Sequence, residues 1–182
     1  IKEIKKIAQK GIKEVVITGI HISSYGKDFK DMKMSYALID LLEEINKIEG
    51  IQRIRLESLE PRIITKEFVE RLIKLEKICN HFHLSLQSMC DKTLKNMNRK
   101  YTVAQSLEVI KKLHESFNLP YLGCDIIVGF PDESEDDFIE TYENLKNAKL
   151  SSIHCFPYSK REKTPAYFME NQIQDSIKKE RA

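Results

Sequence analysis

The sequence predicts an α/β fold whose parallel strands curve into a barrel or half-barrel, with a ligand cavity at the C-terminal ends of the strands. Three observations predict it. Five β-type runs alternate with helical stripes, the rhythm of βαβ units. Several of those runs are polar on one face, whereas a parallel strand covered on both sides is apolar on both. The strand ends carry Gly19, Glu60, Gln87, Gly129 and Tyr158, residue types suited to a ligand rather than a core.

The elements follow in order. Ile1, Ile4, Ile7 and Ala8 share a helical stripe that Gly11 ends. With no Met and no capping residue before it, the chain reads as one cut inside a larger protein. Val15 to Thr18 is a β-branched run stopped by Gly19, and a loop with Ser23, Ser24 and Gly26 follows. Leu38, Leu41, Leu42, Ile45 and Ile48 form a helix closed by Gly50. Residues 51–60 read as a strand that Pro61 stops. Thr65 caps a helix bearing Phe68, Val69, Leu72 and Leu75. Residues 82–86 form the third strand, with helices over 91–97 and 102–117. Residues 121–128 form the fourth, ended by Gly129-Phe130-Pro131. Ser134 and Asp137 suit a capping box for a helix with Phe138, Tyr142 and Leu145. Residues 153–156 are the last strand, and a polar tail from Lys160 ends in a short helix.

Composition narrows the class. A chain of 182 residues suffices for one domain with a full core. With 41% hydrophobic and 32% charged residues, disorder is excluded. The longest apolar runs are strand-sized, so no spanning helix, signal segment or membrane partner is expected. A net charge of +2 does not by itself announce a nucleic-acid binder. Cys79, Cys90, Cys124 and Cys155 are separated by 10, 33 and 30 residues, unlike a metal knuckle. No residue is assigned a metal role, and the cysteines read as reduced thiols of a cytoplasmic protein. The chain has no Walker loop, no G-x-G-x-x-G and no nucleophile elbow.

The strand faces carry the functional signal. His83, Ser85 and Gln87 share one face and Phe82, Leu84 and Leu86 the other. Arg53, Arg55 and Glu57 oppose Ile54 and Leu56. Asp125 aligns with Ile127 and Gly129, and His154 with Phe156 and Tyr158. For one such strand a self-satisfied polar network or a solvated edge is the better account. For three in succession, a shared ligand cavity is. Gly19 and Gly129 suit either an ordinary turn or close backbone approach to a ligand.

Three ordered strings resemble a known family. His83-Leu84-Ser85-Leu86-Gln87-Ser88, with Asp91, Leu94, Met97, Arg99, Tyr101 and Thr102, resembles the H-L-P-L-Q-S-G-S-D…L…M-x-R-x-Y-T signature of radical S-adenosylmethionine methylthiotransferases. Residues 125–133, Asp-Ile-Ile-Val-Gly-Phe-Pro-Asp-Glu, resemble its D-x-I-V-G-F-P-G-E segment. Phe156-Pro157-Tyr158-Ser159-Lys160-Arg161 with Thr164-Pro165-Ala166 resembles its F-x-Y-S-x-R-x-G-T-P-A segment. Thr18-Gly19-Ile20-His21, Tyr25-Gly26, Leu59-Glu60-Pro61 and Tyr158 to Arg161 look most like the branch acting on threonylcarbamoyladenosine in tRNA. Two departures stand out: Met89-Cys90 replaces the family's Gly-Ser, and Asp132 replaces a Gly.

The resemblance implies a partial (βα) TIM-like barrel of the radical SAM type, strands two to six, with the first strand and its C-x-x-x-C-x-x-C cluster loop missing. On this reading residues 1–160 are the barrel, and 161–182 extend it towards an RNA-binding domain. The implied cofactors are S-adenosylmethionine and two [4Fe-4S] clusters whose cysteines are not in this chain. No catalytic residue is therefore assigned here, and the chain alone is expected to bind no cluster and to be inactive. Gly19 and His21 would lie near the methionine amine. Gln87, with Ser85 or Glu57, would bond ribose hydroxyls. Ile127 to Gly129 would pass the adenine, Tyr158 would close the strand ends, and Arg99 would pair with the carboxylate or remain a surface charge. His83 and His154 read as buried, hydrogen-bonded strand histidines. Two basic clusters, Lys92, Lys95, Arg99 and Lys100 and then Lys160, Arg161 and Lys163, suit either tRNA phosphates or solvent. The implied partners are tRNA and an electron donor for the cluster. An open sheet edge at Val15 to Thr18 would invite self-association. The alternatives are the same chemistry on isopentenyladenosine tRNA or a ribosomal-protein aspartate, another radical reaction, or a cluster-free scaffold barrel.

Overall fold

The computed structural model describes residues 1–19, 22–26 and 34–182, the first three of the last segment as backbone only. Helices and strands alternate: α1 Lys2–Gln9, β1 Glu14–Ile17, α2 Met34–Asn46, β2 Arg53–Leu59, α3 Lys66–Leu72, β3 Ile78–Gln87, α4 Asp91–Asn96, α5 Val103–Ser116, β4 Tyr121–Val128, α6 Glu135–Asn147, β5 Ser152–Pro157 and α7 Asp175–Arg181. The strands form one sheet in the order β1-β2-β3-β4-β5, and every neighbouring pair is parallel.

Helix starts obey local chemistry. Thr65 accepts a hydrogen bond from Phe68 N at 3.1 Å, and Thr102–Gln105 and Ser134–Asp137 each close a capping box. The helices cover one face of the sheet. There Ile54, Leu56, Phe82, Leu84, Leu86, Leu122, Cys124 and Ile126 are buried against Leu38, Leu42, Ile45, Phe68, Leu72 and Leu113. Each such leucine, isoleucine or phenylalanine contributes about 1.5–3 kcal/mol by leaving water. The opposite faces of β2, β3 and β4 are only partly covered, as the alternation predicts.

Two departures from the expected elements have physical causes. β3 begins at Ile78, ahead of residue 82, because pairing of Ile78 with Ile54 extends it. The ladders also slip. Between Leu56 and Leu59 the register shifts, with Ser58 at φ 59°, and between Leu84 and Gln87 it shifts again, with Gln87 at φ 62°. Such bulges bend a strand and re-aim its side chains. Among the described residues β1 pairs on one side only, with β2, as the expected edge requires, and β5 is the other edge. Among the described residues no helix is long and apolar enough to cross a membrane.

The tail folds back. A 3₁₀ turn over Pro165–Phe168 follows β5, and α7 lies against the turn after β4. Arg181 bonds the Glu133 carboxylate at 2.8 Å and Glu135 at 2.7 Å.

Candidate functional site

At the C-terminal ends of β3, β4 and β5 lies a groove of about 540 Å³, a size suited to a small ligand. Gln87, Asp125 and Ile127 form its floor, Phe156 to Ser159 one wall, and Arg161, Thr164 and Ala166 its rim. Among the described residues no hydrogen bond within the protein ties down the Gln87 carboxamide or the Tyr158 hydroxyl, so both can bond a ligand. Tyr158 is held by its own N–H donating to Val128 O at 2.8 Å and by an edge-on contact with Phe130 at 5.1 Å between ring centres.

The supports beneath the groove are rigid. The Tyr101 hydroxyl donates to Ser85 O at 2.8 Å and Leu86 O at 3.1 Å, pinning the end of β3 just before Gln87. Burial pushes that phenol up to about 12. The Asp137 carboxylate accepts from Lys92 Nζ at 2.6 Å and Ser134 N at 2.8 Å, joining α4 to α6. Burial opposes its charge, but Lys92 and Ser134 prevail and hold it down at about 2. Burial pushes Glu133 up, against the lowering pull of the Gly129 N–H and Arg181.

A second hollow of about 350 Å³ lies on the same sheet face, nearer the N-terminal ends of the strands. Glu57, His81, His83, Asp125 and His154 line it, so Asp125 faces both spaces.

The residues singled out from sequence divide between these places. Gln87, Ile127 and Tyr158 meet in the groove. Glu57 instead faces the second hollow. Ser85 lies on the same strand face but lines neither space, and its carbonyl is engaged by Tyr101. Gly19 follows β1, and among the described residues a Cβ there would meet nothing nearer than Ile22 N at 3.8 Å. His21 lies outside the described residues. Arg99 sits 3.7 Å from buried Glu60, which also accepts from Arg62 at 2.7 Å, and it does not reach the groove.

Gly129 answers to a different close approach from the one expected. Its φ is +72°, and a Cβ would lie 2.4 Å from Lys178 Cγ. The aliphatic stem of Lys178 fills the space a side chain would need. His154 is also not buried as expected: its side chain is 56% exposed, because β5 is an edge strand. His83 is mostly buried, but its Nε2 makes no hydrogen bond. Of the family departures, Met89 is buried in the core and does not enter the groove. Asp132 adopts φ +68°, the conformation for which glycine is the usual choice, and Asn171 bonds it there at 2.5 Å.

From sequence, Asp125 stands on the polar strand face and Arg161, Thr164 and Ala166 stand in the last string, but none of the four is assigned to the ligand; the groove brings them to it. The string from Phe156 to Ala166 is the signal for the last three. The four cysteines are free. Cys79 and Cys155 are half-buried, Cys90 and Cys124 are buried, and burial pushes Cys124 up to about 12. None of them lines the groove.

Comparison with known proteins places this architecture. The chain belongs to the radical SAM superfamily, whose family model matches residues 1–145, and its sheet is a partial radical SAM (βα) barrel. Within that superfamily its similarity is to tRNA methylthiotransferases. It is 43% identical over 182 residues to the threonylcarbamoyladenosine tRNA methylthiotransferase MtaB of Bacillus subtilis, covering all of this chain and 40% of that protein. It is 45% identical to the protein of the same name from Aquifex aeolicus, covering 43% of it. It is also 41% identical over 180 residues to the tRNA-2-methylthio-N(6)-dimethylallyladenosine synthase of Clostridium tetani, covering 99% of this chain and 39% of that one. The chain thus spans about 40% of the length of these relatives. Among solved structures, the radical S-adenosylmethionine methyltransferase TsrM of Kitasatospora setae superposes with a TM-score of 0.65 at 15% identity, covering 86% of this chain and 29% of that one. Coproporphyrinogen III oxidase HemN of Escherichia coli superposes at 0.59 with 16% identity, covering 78% of this chain and 32% of that one. At these identities the likeness is one of fold.

Proposed function

We propose that this chain is the central barrel of a radical SAM methylthiotransferase that adds a methylthio group to C2 of N6-threonylcarbamoyladenosine beside the anticodon of tRNA. The carrying observation is the groove at the strand ends, where three residues singled out by the family strings meet with free polar groups. Its mostly apolar walls and few polar contacts suit a nucleoside sulfonium such as S-adenosylmethionine. Gln87 would bond the ribose, Ile127 would lie on the adenine, and Tyr158 would cover them. Gly19 and His21 would approach the methionine end. Glu57, Ser85, Gly129 and Arg99 would act as supports around the ligand. When bound, S-adenosylmethionine supplies a carbon–sulfur bond for one-electron cleavage, and the chain's contribution is orientation and exclusion of water. The cysteines here do not converge on the groove, so the clusters and the electron donor are matters for the longer protein.

On the same reading, residues 1–160 form the barrel and 161–182 its extension. The basic side chains at Lys95, Lys100, Lys160 and Lys163 would meet tRNA phosphates, and the protein would work in the cytoplasm. The threonylcarbamoyl branch is favoured over the dimethylallyl branch by the strings at residues 18–21 and 158–161. Whole-chain identity separates the two by only a few per cent.

Two measurements test this. Nucleosides from tRNA of a strain lacking the gene should lose 2-methylthio-N6-threonylcarbamoyladenosine. Loss of the dimethylallyl product instead would move the chain to the other branch, and loss of neither would remove the tRNA reading. In calorimetry, Gln87→Ala should weaken S-adenosylhomocysteine binding by about tenfold, the equivalent of one good hydrogen bond. Unchanged affinity would take the ligand out of this groove.

A further inference from the structure

The second hollow holds a cluster that the methylthiotransferase reading does not use. His83 on β3, Asp125 on β4 and His154 on β5 come from three adjacent strands, and Asp125 lies level with His154 in the ladder. His83 Nε2 is 3.3 Å from Asp125 Oδ1, and His154 Nδ1 is 3.5 Å from the same oxygen. One ligand atom from each residue lies within 4.8 Å of the other two. Donors on a tetrahedral ion with bonds of about 2.0–2.2 Å stand roughly 3.3–3.6 Å apart. Both measured separations lie in that range.

A histidine–aspartate hydrogen-bond pair is the simpler account of such a cluster, and the geometry goes against it. His83 Nε2 is buried and makes no hydrogen bond, although the carboxylate oxygen is close by. Its nitrogen is therefore not directed along the line to that oxygen. A buried polar atom left so is costly. A cation seated between the three groups would satisfy the nitrogen and the carboxylate together.

We propose that His83, Asp125 and His154 form a binding site for a divalent transition-metal ion of the zinc, cobalt or iron(II) class. Two imidazoles and one carboxylate suit these borderline ions. Magnesium and calcium prefer all-oxygen sets, and thiolate-seeking ions prefer sulfur. Three protein ligands leave coordination positions open, and the exposed side of His154 gives a way in. Asp125 also floors the groove, so the ion would sit at the foot of the ligand space and draw that carboxylate towards itself.

The test is a cobalt(II) titration of the tag-free, chelator-washed 182-residue chain under reducing conditions. The site requires saturation at one equivalent, d–d absorption without a thiolate charge-transfer band, and displacement by zinc(II). Asp125→Asn and His154→Ala should each weaken binding by roughly tenfold or more, the loss expected when a coordination shell is broken. His154 is exposed enough that its removal leaves the fold intact, which circular dichroism would check. Cys155→Ser should leave binding unchanged. Absence of saturable binding, binding indifferent to Asp125→Asn and His154→Ala, or a charge-transfer band that disappears in Cys155→Ser would each overturn the proposal.

Discussion

Asp137 shows how one side chain ties two helices together and makes stability depend on pH. Its carboxyl sits at about 2 in the folded chain against an ordinary 3.8. A carboxyl depressed by folding adds stability that is complete above its unfolded value and is lost as pH falls through its folded value. The difference of nearly two units corresponds to about 2 kcal/mol. Asp137→Asn should therefore lower unfolding free energy by about 2 kcal/mol at pH 7, and the gap to the parent should close as pH falls from 4 to 2. Urea titrations at those pH values check both halves. A gap that persists in acid would mean the loss comes from packing, not charge. At Gly129 the constraint is steric. Left-handed backbone costs a residue with a Cβ about 1–2 kcal/mol, and Lys178 Cγ occupies the space as well. Gly129→Ala should lower Tm, and adding Lys178→Ala should restore only the steric part of that loss.

At the level of elements, the strand ends matter more than the strands. β3 carries the bulge that aims Gln87 into the groove, and Tyr101 holds the two carbonyls just before it. Tyr101→Phe removes the hydroxyl the two carbonyls share, leaving Leu86 O with only the Ser88 N–H at 2.7 Å, at a cost of about 1–2 kcal/mol. Hydrogen exchange should quicken at amides around Leu86 and Ser88 while those of β2 stay protected. A uniform increase over the whole sheet would instead mean global destabilisation. Much of this layer was readable in advance. Thr65, Thr102 and Ser134 announce helix starts, and the alternation of Phe82, Leu84 and Leu86 with His83, Ser85 and Gln87 announces which face is which. Local pattern could not show the bulges at Ser58 and Gln87, because register slips depend on the partner strand. Nor could it show that Lys178, 49 positions later in the chain, would pack on Gly129. The exposure of His154 escaped for the same reason: the face of a strand is a local property, but edge position is a property of the sheet.

For the molecule as a whole, the open question is what the two sheet edges do. β5 is flanked by the tail that rims the groove, and Phe156 on its groove-facing side is still 50% exposed. β1 is different. It is four residues long, pairs with β2 alone among the described residues, and leaves Val16 46% exposed. Glu14 is the one charged side chain on it, and that carboxylate is already bonded by Arg53 and Arg55 of β2. Its charge is thus spent within the sheet and does little to discourage a second strand. Short length is the remaining protection. The balance predicts that the 182-residue chain self-associates as concentration rises, through β1 of one copy on β1 of another. Light scattering across a hundredfold concentration range should show mass growing with concentration. Val16→Lys, which places an unpaired charge on the exposed face without touching the buried Val15, should return the chain to a monomer. If Val16→Lys associates as readily as the parent, the contact lies elsewhere, and the exposed apolar side chains of the other edge strand, Ile153 and Phe156, become the ones to substitute next.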